Sequence, residues 1–411
     1  MPAPTSLRRC LLLLGSAGLA GGRPVHEVEA ELRQMGRVLG APDVDCAGTP
    51  TGIWVTLGSD ESAGFTAVGA PLRFDQAAGT SAVVRGVLSG RLDPDAAITE
   101  LDAVLSAAPR IPRWVAAAGL LPVGGGLALI LQPAWANVLA AVLCSVLVVA
   151  LVEVASRSAL VTTLLPVVAA FSVGCLIFLA AEADLVDGPL RTLLAPIAVL
   201  LPGALIVTGM SELAAGAMVA GTARLVFGAV QLLLFTFGVL AAVRVIGIAP
   251  DALANVRVDE LGPWAPWLGL MLVGLGVFLN VSAPAGALPW MLGLLAATFL
   301  AQTVGQEAYS APAGAFAGGV TAALGAAVVQ RLPGGPPSLV VFLPAFWLLV
   351  PGSLGLVGTT QLAADTGDGF ATATGAIAVI VAIALGVLLG SALGRAVERL
   401  GGAAAGPSRA G

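Results

Sequence analysis

The chain of 411 residues has no lysine, one histidine (His26), one tyrosine and charged residues at 10% of its length. Each shortage excludes a class of chemistry. Without lysine there is no Walker Gly-x-x-x-x-Gly-Lys loop, so an ATP-driven pump within this chain is excluded. His26–Glu27 is followed by Val28, Glu29 and Ala30, so the His-Glu-x-x-His zinc pattern is missing, and so is Gly-x-Ser-x-Gly. All 19 basic residues are arginines, scattered within a net charge of −5, which gives no nucleic-acid footprint. The four cysteines, Cys10, Cys46, Cys144 and Cys175, lack metal-ligand spacing and read as small packed side chains. No metal or cofactor is expected.

What is abundant is apolar: hydrophobic residues make up 58% of the chain, against roughly 25% charged and under half apolar in a typical soluble domain. Gly (53) and Pro (27) lie inside the apolar runs, as membrane helices tolerate. Charge concentrates in residues 1–113; beyond it, apolar stretches alternate with short polar turns. Spans are expected at 114–132, 134–152, 159–181, 190–211 and 222–249, then at 264–281, 285–303, 309–330, 338–360 and 372–394. The expected fold is therefore an α-helical polytopic membrane protein behind a small N-terminal α+β domain. Its parts are the domain at 1–113, five helices at 114–250, five at 262–396, and a disordered tail at 397–411.

Arginine placement orients the chain. With the front domain inside, Arg110, Arg113, Arg157, Arg224, Arg331, Arg395 and Arg399 are cytoplasmic, while Arg191, Arg244 and Arg257 are outside. Seven against three places both termini in the cytoplasm of a multi-pass cytoplasmic-membrane protein. Arg8–Arg9 and the leucines after Cys10 have the look of a secretory signal, yet the apolar run is short, and an amphipathic helix ending at Gly21–Gly22 is the expectation. A charged helix at 24–39, a strand-like stretch at 43–58 with a turn at Thr49–Gly52, and two helices in 81–107 broken at Asp93–Pro94 complete the domain.

The membrane region repeats. Pro202–Gly203, Gly209 and Leu213 recur as Pro351–Gly352, Gly358 and Leu362 at a constant offset of 149. With five spans per half, the second half enters from the opposite side, so the repeats are inverted, an architecture of secondary transporters. A Pro-Gly pair in the fourth span of each half suggests two broken helices aimed at one site, against a bland reading as two packing kinks.

At this point the residues resemble the threonine/serine exporter (ThrE-type) family. In the front domain these are Val25–Glu29, Leu39–Gly40, Thr49–Ile53, Leu72–Gln76, Gly90–Leu92 and Pro109–Pro112. In the membrane region they are Pro202–Gly203, Glu212–Leu213, Gly216, Gly221, Arg224–Leu225, Phe342–Pro344 and Pro351–Gly352. The resemblance spans nearly the whole chain. It implies a cytoplasmic domain fused to two five-helix units that export threonine, serine or similar small amino acids against proton uptake. Amides at the broken helices suit the substrate carboxylate. The candidate binding residues are Pro202, Gly203, Thr208, Glu212, Pro351, Gly352, Thr359, Thr360 and Gln361, with Glu212 suited to the ammonium group.

Ionisable groups at membrane depth add candidates for ion coupling: Glu153, Glu212 and Glu307. Arg157, four residues after Glu153, and Arg224, facing Glu212, are expected as pairing partners, and Asn280 as a helix–helix hydrogen bond. Against these stand bland readings: a boundary ion pair at Glu153, a solvated loop at Glu307. The expected partners are an amino acid, the bilayer and protons; homo-oligomerisation stays open. The rival function is a membrane-anchored enzyme or regulatory receptor whose front domain carries the activity.

Overall fold

A computed structural model describes residues 4–58, 62–249, 253–349, 351–364 and 369–404. Contacts divide the chain into two units. One comprises residues 1–113 with 208–225 and 281–285; the other comprises 114–207, 226–280 and 286–411.

In the first unit, α1 (Pro4–Ala20) and α2 (Val25–Val38) are joined through Gly22, whose φ of 85° a side-chain-bearing residue would resist. The stretch after Arg8–Arg9 is thus the amphipathic helix expected, with Leu7, Leu11 and Leu14 buried. Strands β1 (Asp45–Thr49), β2 (Gly52–Thr56) and β3 (Gly64–Ala67) form an antiparallel meander in that order, with Thr49 opposite Gly52 and Val55 opposite Gly64. Alternation sets its faces. Ile53 and Val55 are buried, while Trp54 stacks on Phe65 with ring centres 4.7 Å apart on the open face. The third strand had no sequence signal. Helices α3 (Phe74–Leu88) and α4 (Pro94–Ser106) follow, and the Asp93 carboxylate caps α4 by accepting from the Ala96 amide at 2.8 Å.

The membrane helices are α5 (Arg113–Ala118), α6 (Leu120–Leu131), α7 (Trp135–Ala155), α8 (Ala159–Glu182), α9 (Pro189–Ile197), α10 (Gly203–Ala214) and α11 (Met218–Ile246). After them come α12 (Ala265–Asn280), α13 (Leu288–Ala308), α14 (Ala311–Val329), α15 (Ser338–Leu348), α16 (Pro351–Ala363) and α17 (Gly369–Ala404). Among the described residues, eight helical runs are long and apolar enough to cross a membrane, and nine if the bent α9–α10 pair counts as one. The sixth expected span, 264–281, is α12, apolar but 16 residues long. Helix α17 continues to Ala404, into the segment expected as a tail; residues 405–411 lie outside the described residues.

Glycines set the closest approaches in the second unit. A Cβ on Gly119 would stand 2.7 Å from the Gly276 carbonyl oxygen, and one on Gly126 would stand 2.6 Å from that of Gly269. Rising residue numbers on α6 meet falling numbers on α12, so the two helices cross antiparallel. On the same pattern, Gly238 of α11 lies against the Val167 carbonyl of α8, and Gly386 of α17 against the Phe316 carbonyl of α14. Small residues at such crossings allow the backbones to meet, where dispersion replaces the hydrophobic drive that lipid does not supply.

Candidate functional site

Pro202 dictates the break in the fourth apolar segment. Helix α9 tightens into a single 3-10 turn at Ala198–Leu200, after which Leu201 is extended at φ −68° and ψ 140°. The residue before a proline is driven out of the helical region, and Pro202 itself has no amide to donate. The chain re-enters a helix at Gly203, and the axes of the two pieces differ by 65°. The first amides of α10 therefore have no partner within their helix and mark the positive end of its dipole.

A cavity of about 50 Å³ lies at this break, lined by Leu201, Gly203 and Ala204. Val123 and Leu127 of α6, Val273 and Val277 of α12, and Phe346 and Trp347 of α15 close it. Apart from the Trp347 indole N–H, the lining side chains are apolar, so the other polar contacts in the cavity come from backbone groups. Of the sequence candidates, Gly203 is in this lining; Pro202 is buried beside it.

In the second half, α16 begins at Pro351 and Gly352, and Val350 lies outside the described residues. Ser338–Ala363 passes as one 26-residue candidate span across Val350, and among the described residues a bend above 40° is found at the first pair, between α9 and α10. Thr359 shares a hydrogen bond of 2.7 Å with Thr236 of α11, and Gln361 donates to the Leu253 carbonyl at 2.8 Å. The Thr360 hydroxyl is buried and has no hydrogen-bond partner among the described residues. Leu356 and Val357 pack in one cluster with Leu190 and Leu193 of α9 and Phe235 of α11.

Glu212 is placed in the first unit. Gly216, with φ 87°, turns α10 into α11 and brings Arg224 back against Glu212. The expected pair exists: an Arg224 guanidinium nitrogen donates to Glu212 Oε1, with side chains 8% and 0% exposed. The same Oε1 accepts the Val25 amide at 2.8 Å, so the carboxylate also sits on the N-terminus of α2. Glu212 Oε2 is buried without a hydrogen bond among the described residues. Thr208, one turn earlier, is half-buried, and its carbonyl accepts from the Ser211 hydroxyl at 2.8 Å.

The remaining candidates have plainer surroundings. Glu153 and Arg157 pair at 3.0 Å at the end of α7 with side chains 41% and 72% exposed. Glu307 is exposed at the end of α13. Asn280 donates to the Ala116 carbonyl at 3.0 Å, the helix–helix bond expected of it. Sequence reasoning missed Gln132. Fully buried, it donates to the carbonyls of Asp187, Gly188 and Val256 and accepts the Val258 amide at 3.0 Å. A lone amide side chain ending an apolar run was its one signal. Among the described residues no group of three or more His, Cys, Asp or Glu could hold a metal ion.

No curated protein and no solved structure matches the chain. Residues 9–246 match the family described as "Putative threonine/serine exporter" (ThrE), a stretch that holds the front domain, the α9–α10 break and the Glu212–Arg224 pair. A match over more than half of the 411 residues, on a multi-span helical chain with this front domain, makes the chain a member of the threonine/serine exporter (ThrE) family.

Proposed function

We propose that the chain is a secondary active transporter that exports threonine, serine or similar small amino acids, coupled to the proton gradient. It acts in the cytoplasmic membrane with both termini in the cytoplasm. The observation that carries this reading is the 65° break at Pro202 with a cavity at its apex. Backbone polar groups freed at membrane depth persist where protein or a cavity satisfies them. The free amides at Gly203 and Ala204 suit a carboxylate, as at other anion-binding helix starts. The sequence candidates Thr208, Thr359, Thr360, Gln361, Pro351 and Gly352 are outside the cavity lining, so a role for them in substrate binding rests on the sequence alone. At about 50 Å³ the cavity has room for about three or four water-sized spheres, so it must widen to admit an amino acid.

We read the two halves as an inverted pair of five-span units, in keeping with a transporter. Gly119, the cap of α6, and Gly126 within it correspond to Gly269 and Gly276 of α12 at an offset of 150, within Gly119-Leu-Leu-Pro-Val-Gly-Gly-Gly126 and Gly269-Leu-Met-Leu-Val-Gly-Leu-Gly276. Shifting by that offset turns the Gly119–Gly276 contact into the Gly269–Gly126 contact, as expected where equivalent helices cross on a two-fold axis lying in the membrane. The Gly238–Val167 and Gly386–Phe316 contacts correspond at offsets of 148 and 149.

Proteoliposomes loaded with threonine or serine should take up the labelled amino acid by counterflow. Ala204→Phe, which fills the cavity, should lower the initial rate at least ten-fold. Absence of counterflow across a panel of small amino acids would remove the substrate assignment; full counterflow in Ala204→Phe would remove the cavity as the site.

A further inference from the structure

We propose that the N-terminal domain is a gating clamp that holds the pathway shut on its own face of the membrane. This rests on the transporter reading. The juxtaposition behind it is a strained turn gripped on both sides. Ser282, between α12 and α13, is 2% exposed and has φ 51°, a left-handed backbone that a serine adopts only under constraint. Immediately before it, the Val281 carbonyl accepts the Phe74 amide of α3 at 2.9 Å. Immediately after it, the Ala283 carbonyl accepts from the guanidinium of Arg110. Both donors belong to the front domain.

A second grip engages the other half. The Glu212–Arg224 pair at the α10–α11 turn is anchored to the domain through the Val25 amide, and Ala220 is buried in the domain's own hydrophobic cluster. The domain therefore holds the turn that leaves the broken segment and the turn that follows α12.

The turn after α6 makes the meaning of this grip clear. At the same offset of 150, Gln132 corresponds to Ser282. That turn is fastened by loops of the membrane unit: Gln132 bonds the 187–188 and 256–258 backbones, and the Pro133 carbonyl accepts the amides of Glu260 and Leu261 at 3.0 Å. Because α6 and α12 cross antiparallel, the ends of these two helices that lead into the turns point in opposite directions. One leads to a turn fastened within the membrane unit, the other to a turn fastened by the front domain. Alternating access requires the two fasteners to release in turn. Strain at Ser282 favours departure of its turn once the flanking bonds open.

A Phe74→Cys/Val281→Cys pair tests this in a chain whose four native cysteines are replaced and which carries Ala204→Cys in the cavity. After oxidation, labelling of Cys at position 204 by a membrane-impermeant maleimide presented on the front-domain face of the reconstituted protein should slow at least ten-fold, and reduction should restore it. Arg110→Ala, without the pair, should speed labelling at least three-fold at unchanged melting temperature. Failure of the pair to crosslink overturns the proposal. So do equal labelling rates in the locked and reduced protein, or an unchanged rate in Arg110→Ala. Labelling needs no substrate, so a chain that responds to the lock yet shows no counterflow keeps the clamp and loses the substrate assignment.

Discussion

Glu212 and Arg224, twelve residues apart, meet across the α10–α11 turn as a buried ion pair, and the shared carboxylate oxygen also takes the first amide of α2. Two charges removed from water hold one another only while both are present. Glu212→Ala leaves a buried guanidinium unpaired and strips an acceptor from Val25. The expected loss is about 3–5 kcal/mol, read as a lowered melting temperature in detergent. Arg224→Ala should cost a similar amount, and the Glu212→Met/Arg224→Leu double variant should recover more than half of either loss. Additive losses in that cycle would show that the two side chains are energetically independent.

The α6–α12 crossing makes a prediction with a built-in control. A Cβ on Gly126 or Gly269 would stand 2.6 Å from the other residue's carbonyl oxygen, while one on Gly293 meets nothing within 4 Å. Gly126→Ala and Gly269→Ala should each destabilise by about 1–3 kcal/mol, the usual cost of forcing an extra group into packed backbone. Gly293→Ala should be neutral or slightly stabilising, because alanine has the better helix propensity. Thermal melts of the three variants decide it, and equal melting temperatures would contradict the crossing.

How much of this was written in the chain depends on the range of the interaction. Asp93–Pro94 before α4 and Pro202 in the fourth segment are local constraints, and their effects lie where the sequence puts them. The Glu212–Arg224 pair was legible because one glycine turn separates two helices that must lie side by side. Strand β3 was not, since Gly64–Ala67 lacks an alternating apolar set, with Trp54 and the strand meander deciding its place. Gln132 and the grip of Phe74 and Arg110 on Val281–Ala283 join residues 55 to 207 positions apart, and backbone acceptors have no sequence signature. Gly119, Gly126, Gly269 and Gly276 stand in the sequence, but their meeting in pairs between α6 and α12 is not readable from it.

The cysteines of the front domain predict a pH dependence. Burial, followed by the charges of Asp95 and Asp93, pushes the Cys10 thiol from an ordinary 9.0 up to about 12. For Cys46, burial is again the largest cause; Arg33 opposes it, and the result is about 11. Below 9 both folded and unfolded chains keep these protons, so stability does not depend on them. Between 9 and about 11–12 the unfolded chain releases protons that the folded chain retains, and stability falls as pH rises, by up to about 1.4 kcal/mol per pH unit for each thiol. The melting temperature should therefore drop on going from about pH 8.5 to 10.5, and less steeply in Cys10→Ala. A slope that Cys10→Ala leaves unchanged would refute the burial of that thiol.

Proton coupling separates the three carboxylates by their surroundings. Glu153 is 41% exposed and pairs with an Arg157 that is 72% exposed, an arrangement worth less than about 1 kcal/mol. Glu153 already has a charge partner on its own helix, so Glu153→Gln should retain export driven by a pH gradient within about two-fold of the parent. Glu307 ends α13 without an ion pair among the described residues, and Glu212 is locked into the front domain. Glu307→Gln is thus the variant expected to lose gradient-driven export while keeping counterflow, because counterflow needs substrate exchange and no net proton movement. Parallel assays of both fluxes in liposomes distinguish the cases. Loss of coupling in Glu153→Gln with coupling intact in Glu307→Gln would reverse the assignment.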